Sequence, residues 1–117
     1  DLNKTYKGIA ASSGNSFVHE TESQVILNGS YNINFTMDLV KKDMNLFNQL
    51  SKKLNTELEI SPFVLNIFEE AEKKFGSRAW SSMVVKRLEE KYNINFRALG
   101  FPEELIDNEP EEKGYEI

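Results

Sequence analysis

The stretch "LVKKDMNLF", Leu39 to Phe47, decides the fold of this chain. Stepping about 100° per residue from Leu39 gathers Val40, Met44, Leu46, Phe47, Leu50 and Leu54 into one broad arc. Apolar residues at that spacing predict a helix from about Met37 to Leu54, the longest and most strongly patterned element of the chain. Asp43 falls near the centre of the arc and Lys42 at its edge. A carboxylate on an apolar face gives up hydration and needs a cation or hydrogen-bond donors. Asp43 therefore reads as a core residue bonded to a neighbouring helix end. Lys42 either snorkels outward or lines the rim of a cleft, where it meets an anionic substrate or cofactor.

Helical spacing recurs on both sides of this element. Leu2, Tyr6, Ile9 and Ala10 already keep it at the first residues, so the chain is expected to be part of something longer. "SSGNS" (Ser12–Ser16) interrupts the pattern, and Ser13, Asn15 or Ser16 is placed to cap a second helix from about Phe17 towards Leu27. At "VILNGSYNINF" two local rules conflict. Asn28-Gly29 suits a hairpin turn, with Tyr31, Ile33 and Phe35 alternating after it. Nothing else in the chain offers partner strands, and a lone hairpin is barely stable in water. A helix, a turn and an extended linker are predicted instead. A fourth helix is expected to start with Ser61 as cap and Pro62 at its first position, and to end at Gly76. A fifth is expected to be capped by Ser81 and to carry Val84, Val85, Leu88 and Tyr92. "YNINF" occurs at Tyr31–Phe35 and again at Tyr92–Phe96, but the flanks differ, so no repeat is inferred.

With 117 residues, the chain is one domain or part of one. It has no cysteine, which excludes disulfides and thiolate chemistry and fits a cytoplasmic setting. Its net charge of -5 is concentrated at the end. Residues 103–117 carry seven acids and one lysine, a balance of -6, which leaves residues 1–102 near +1. A near-neutral body without a basic stripe argues against nucleic acid, and short apolar runs argue against a membrane span. The tail, with Pro110 and Gly114, is expected to be extended or draped over the body, anchored at most by Leu105, Ile106 and Tyr115.

Few residues suit chemistry. His19 is the only histidine and lacks a second one a turn away, so it is expected on a solvent-facing helix surface and no metal site is proposed. Serines in "ASSGNS" and "AWSSM" lack a base and are best read as caps. The loop "SSGNS", leading into a helix N-terminus, would also suit an anion, a weaker signal than capping. "EEAEKKF" and "KRLEEK" read as solvated faces with ion pairs along the helix.

Three stretches together, "YKGIAASSGNSF", "FTMDLVKKDMNLF" and a helix opened by "ISPF", resemble the C-terminal helical domain of the β-hydroxyacid dehydrogenases, the 3-hydroxyisobutyrate dehydrogenase family. The resemblance covers about Asp1 to Phe75, with "KD" as its most specific part. It implies an all-α, multi-helix orthogonal bundle over residues 1–102, an acidic tail over 103–117, and an N-terminal Rossmann domain for NAD or NADP that this chain lacks. It implies that Lys42 faces cofactor and substrate, that Phe35 lies near the cofactor, and that Asp43 is buried to fix its helix. Ser13, Gly14 and Asn15 match a loop on the substrate side. The family's acid-base lysine lies upstream, so no catalytic residue is assigned here and the isolated chain is expected to be inactive. The intact enzyme would transfer a hydride between NAD(P) and a small 3-hydroxy acid, and would pair as a homodimer through helical faces. The competing reading is a non-enzymatic helical module that binds a partner protein through an apolar surface.

Overall fold

The computed structural model describes residues 1–105 and 114. Every regular element among them is helical: α1 (Leu2–Ala10), α2 (Phe17–Asn28), α3 (Met37–Lys53), α4 (Ile60–Phe75), a 3-10 helix (Ser81–Val85) and α5 (Lys86–Tyr92). The all-α class expected from the spacing is what is found. No hairpin forms at Asn28-Gly29. Gly29, at φ 98°, closes α2 in the left-handed conformation, and its N–H bonds the Val25 carbonyl. The chain then runs through a linker to Thr36, whose extended backbone opens α3.

Capping shows how local chemistry sets these limits. The Asp1 carboxylate accepts from the Lys4 amide (3.2 Å), and the Ser16 hydroxyl accepts from the His19 amide (3.0 Å). At α3 the first free amides go to the loop after α4: Met37 N–H to the Ala79 carbonyl (2.9 Å) and Asp38 N–H to the Ser77 carbonyl (3.0 Å). Two predicted caps differ. The fourth helix begins at Ile60, so Ser61 lies inside its first turn and donates to the Asn48 side chain on α3 (2.7 Å). Pro62 fits there because first-turn amides have no partner in the helix. Ser81 likewise does not cap with its side chain. A 3-10 turn leads into the last helix, and the Ser81 hydroxyl is buried without a partner.

α1 packs on α2 and α3 on α4, while the 3-10 helix touches α2, α4 and α5 and joins the two pairs. The core is small: Val25, Leu27, Tyr31, Met37 and Ala71. On α3 the packed side carries Met37, Val40, Lys41, Met44, Asn48 and Ser51, all buried or half-buried. At about 100° per residue this side is turned away from the centre of the apolar arc. Leu46, Phe47, Leu50 and Leu54 are each more than half exposed. Asp43 lies among them, so its expected burial is corrected: its side chain is 55% exposed in this chain. The arc identified an apolar face, but only half of that face is covered.

After α5 the chain turns back. Ala98 N–H bonds the Leu27 carbonyl (3.0 Å), the Asn28 amide donates to the Phe101 carbonyl (3.1 Å), and Glu104 forms an isolated bridge with Asn32. Leu105 is half-buried. Ile106, Tyr115 and most of the expected 103–117 tail lie outside the described residues. Among the described residues no helix is long and apolar enough to cross a membrane.

Candidate functional site

Lys42 projects from the second turn of α3 with its side chain 59% exposed, and its ammonium meets the Asp43 carboxylate at 3.1 Å. An exposed pair of neighbours in sequence is weak, so the ammonium remains open to another anion. The next lysine behaves differently, since Lys41 pairs with Glu72 of α4 and helps hold the two helices together. Phe35 is half-buried just before α3, and its carbonyl accepts from the Ser81 amide (2.8 Å). That bond and the Thr36–Trp80 bridge tie the linker to the start of the 3-10 helix. Lys42 and Phe35 therefore share one region, the beginning of α3.

Ser13, Gly14 and Asn15 lie elsewhere, in the exposed loop between α1 and α2. The Gly14 amide donates to the Ser12 hydroxyl (3.1 Å), and the Asn15 side chain donates to Glu20 (2.7 Å). Among the described residues, no hydrogen bond or ion pair joins this loop to Lys42 or Phe35. His19 is not the solvent-facing residue expected. Its ring sits at 4.9 Å from the Tyr6 ring and bonds both the Tyr6 carbonyl (3.0 Å) and the Ser23 hydroxyl (3.1 Å), which fastens α1 to α2. An apolar cleft of about 260 Å³ opens beside it, lined by Leu2, Tyr6, Ile9, Ile26 and Phe96 among others, and holds none of the candidate residues.

A buried, multiply bonded carboxylate was not singled out by sequence reasoning. Glu89, in the run taken as a solvated face, is 4% exposed. Its carboxylate accepts from the Tyr31 hydroxyl, the Phe96 amide (2.8 Å) and the Arg97 guanidinium (2.7 Å). Burial pushes the Glu89 carboxyl up, but these donors outweigh it and hold the group below its ordinary value. Burial and the bond to Glu89 push the Tyr31 hydroxyl up. Some other charges of these runs pair between elements, as Arg87 with Glu70 (2.9 Å) and Lys74 with Glu90. Spacing along one helix gave no signal of such partners.

Two more carboxylates are perturbed. Asp38 accepts from the Thr36 hydroxyl and from Arg78 (3.0 Å), which hold it below its ordinary value at the start of α3. Glu22 on α2 is half-buried, and burial alone raises it.

Residues 1–88 match a family model described as the NAD-binding part of NADP-dependent 3-hydroxyisobutyrate dehydrogenase. No curated protein and no solved structure matches the chain.

Proposed function

Because the chain belongs to the NADP-dependent 3-hydroxyisobutyrate dehydrogenase family, we propose that it is the C-terminal helical domain of an NAD(P)-dependent 3-hydroxyacid dehydrogenase, forming one wall of the active-site cleft. The observation that carries this reading is the position of Lys42. It is an exposed cation on α3, beside an uncovered apolar face, and it matches the family lysine in the "KD" element. The six glycines include no G-x-G-x-x-G turn, and the described residues contain no strand-turn-helix unit to cradle a pyrophosphate. In this reading the nucleotide is held mainly by an upstream Rossmann domain and touched here by a helix face.

The donor set fits that limited part. Lys42 supplies a cation for a substrate carboxylate or a cofactor phosphate, and Phe35 supplies an apolar surface that excludes water beside it. Ser13, Gly14 and Asn15 offer polar groups on the substrate side. NAD or NADP, when bound, supplies the hydride acceptor for oxidation of a 3-hydroxy acid. The proton of the hydroxyl belongs to the upstream lysine, so this chain binds and orients and does not itself move a proton. The uncovered faces of α3 and α4, with Phe47, Leu50, Ile60 and Phe63 more than half exposed, are proposed to form the homodimer interface. A cytoplasmic setting is part of the same proposal.

The test uses the polypeptide with the residues encoded upstream of Asp1. NADH and NADPH formation is followed over a panel of short 3-hydroxy acids, for wild type and Lys42→Ala. Loss of a charge-assisted bond worth about 1.5–3 kcal/mol is expected to lower kcat/KM about 10- to 100-fold at unchanged Tm. Full activity in Lys42→Ala would remove Lys42 from the cleft. The exposed apolar faces also suit a non-enzymatic module that binds a partner protein, and absence of an upstream nucleotide-binding domain would favour that reading.

A further inference from the structure

The linker between α2 and α3 is short and holds two non-glycine residues, Tyr31 and Asn34, at φ 56°. Left-handed backbone at such residues costs energy and persists only where the surroundings impose it. At Tyr31 they do. Its N–H bonds the Val25 carbonyl (3.1 Å), and its carbonyl accepts from the buried Ser82 hydroxyl (2.6 Å). Its hydroxyl lies between the Glu89 carboxylate and the Arg97 guanidinium (2.6 Å), and that guanidinium also covers its ring at 5.1 Å.

Arg97 reaches further, to the Ile26 carbonyl at 3.2 Å. It has room because residue 29 is glycine, where a Cβ would run into the guanidinium. Beyond Arg97 the chain runs back beside residues 27–32, held by one backbone bond, two side-chain bonds and an isolated bridge. Ala98 bonds Leu27, Phe101 accepts from Asn28, Glu103 accepts from Ser30 (2.5 Å) and Glu104 bridges Asn32. Glu89 and Arg97 lie just past the residues matched by the family model, which end at 88. This strap is an addition to the matched region, and it grips the one segment that leads into Phe35 and α3.

We propose that Glu89 and Arg97 are positioning residues: they clamp Tyr31 so that the linker delivers Phe35 and the first turns of α3, with Lys42, in one fixed placement. The consequence for nucleotide binding rests on the cleft-wall function proposed above. The clamp itself does not, and the test separates them.

Amide hydrogen exchange is measured on the whole polypeptide for wild type, Glu89→Gln and Arg97→Lys. The reporters are Tyr31, Met37 and Ser81, whose N–H groups bond Val25, Ala79 and Phe35 across the linker and its two ends. In Glu89→Gln, exchange at these amides is expected to rise at least about tenfold, with α1 and the second half of α4 unchanged. Arg97→Lys, which keeps the charge, is expected to fall between. Binding of NADPH, followed by its fluorescence, is expected to weaken about fivefold, roughly 1 kcal/mol, at unchanged affinity for an unrelated dye. Unchanged exchange at the three reporters, or an equal rise across the whole chain, would overturn the clamp. If Glu89→Gln fails to fold, Tyr31→Phe removes only the bridging hydroxyl and is judged by the same reporters. Faster exchange at the linker together with unchanged NADPH binding in both Glu89→Gln and Lys42→Ala would leave the clamp standing and sink the cleft wall.

Discussion

Glu89 and Arg97 meet at 2.7 Å and both bond the Tyr31 hydroxyl, the carboxylate 4% exposed and the guanidinium side chain 38% exposed. A buried carboxylate of this kind makes stability depend on acid. Burial raises the Glu89 carboxyl, the donors lower it further, and the folded value ends below the unfolded one. Its contribution is therefore present above the unfolded value of about 4.3 and is lost as pH falls through the folded value. Unfolding by urea at a series of pH values is expected to show stability dropping below about pH 4.3 in wild type and a shallower drop in Glu89→Gln. At pH 7 that variant is expected to be less stable by about 1–3 kcal/mol. Asp38 is also held low and acts in the same direction, so the informative quantity is the difference between the two proteins.

Gly29→Ala meets two obstacles at one position. Residue 29 closes α2 at φ 98°, and the new methyl group would displace the Arg97 guanidinium. A loss of about 1–3 kcal/mol is expected, read as a lower urea midpoint at unchanged slope. Gly76→Ala is the comparison: φ is 96° there, but nothing lies within 4 Å of the added methyl. Because ψ is 3° at Gly29 and 153° at Gly76, the two strains differ, so the Arg97 share is read by repeating Gly29→Ala in Arg97→Ala, where an unchanged loss would show that Arg97 yields freely.

The helices were legible because their signals are local. The period of the apolar residues, Ser16 before α2, and Gly29 and Gly76 after α2 and α4 all act within a turn of the feature they set. Ser61 misled because a serine before a proline looks like a cap, whereas the helix begins at Ile60, two residues before Pro62, and the Ser61 hydroxyl goes to Asn48. Asp43 misled for a different reason: periodicity reveals which face of α3 is apolar but not what covers it. Glu89 was illegible because no helical spacing points to its partners: Tyr31 stands 58 positions away, and Phe96 and Arg97 lie beyond the end of α5. Lys42 came to attention through its place at the edge of the apolar arc and Phe35 through likeness to a family, and the structure shows only that they share the start of α3.

Glu22 carries the opposite pH signature. Burial alone lifts its carboxyl above the ordinary value. Its folded value exceeds the unfolded one, so the protein is relieved of a cost at low pH and meets that cost as pH rises through about 4.3 to the folded value. Glu22→Gln removes the charge while keeping the shape. At pH 7 its Tm is expected to rise, by a change of no more than about 1 kcal/mol, and the gain is expected to vanish at pH 3. A lower Tm at pH 7 would mean that the carboxylate is bonded to something the present geometry does not include.

The uncovered half of α3 supplies a test of what lies against it. Phe47 and Leu50 are 55% and 51% exposed, and among the described residues Asp43 pairs only with Lys42. Replacing a residue that touches mainly water changes little, so Asp43→Ala and Phe47→Ser are each expected to shift the stability of this chain by under about 0.5 kcal/mol. The proposed dimer changes that expectation, because burying the same face would make Phe47 a core residue and leave Asp43 dependent on its partners. Sedimentation equilibrium across a concentration series, on the polypeptide with its upstream residues, is then expected to show a dimer in wild type and a weaker one in Phe47→Ser. A loss above about 2 kcal/mol in the 117-residue chain alone would mean that the face is covered within the chain, and the interface would have to be sought on α4. A dimer unaffected by Phe47→Ser would also move it away from α3.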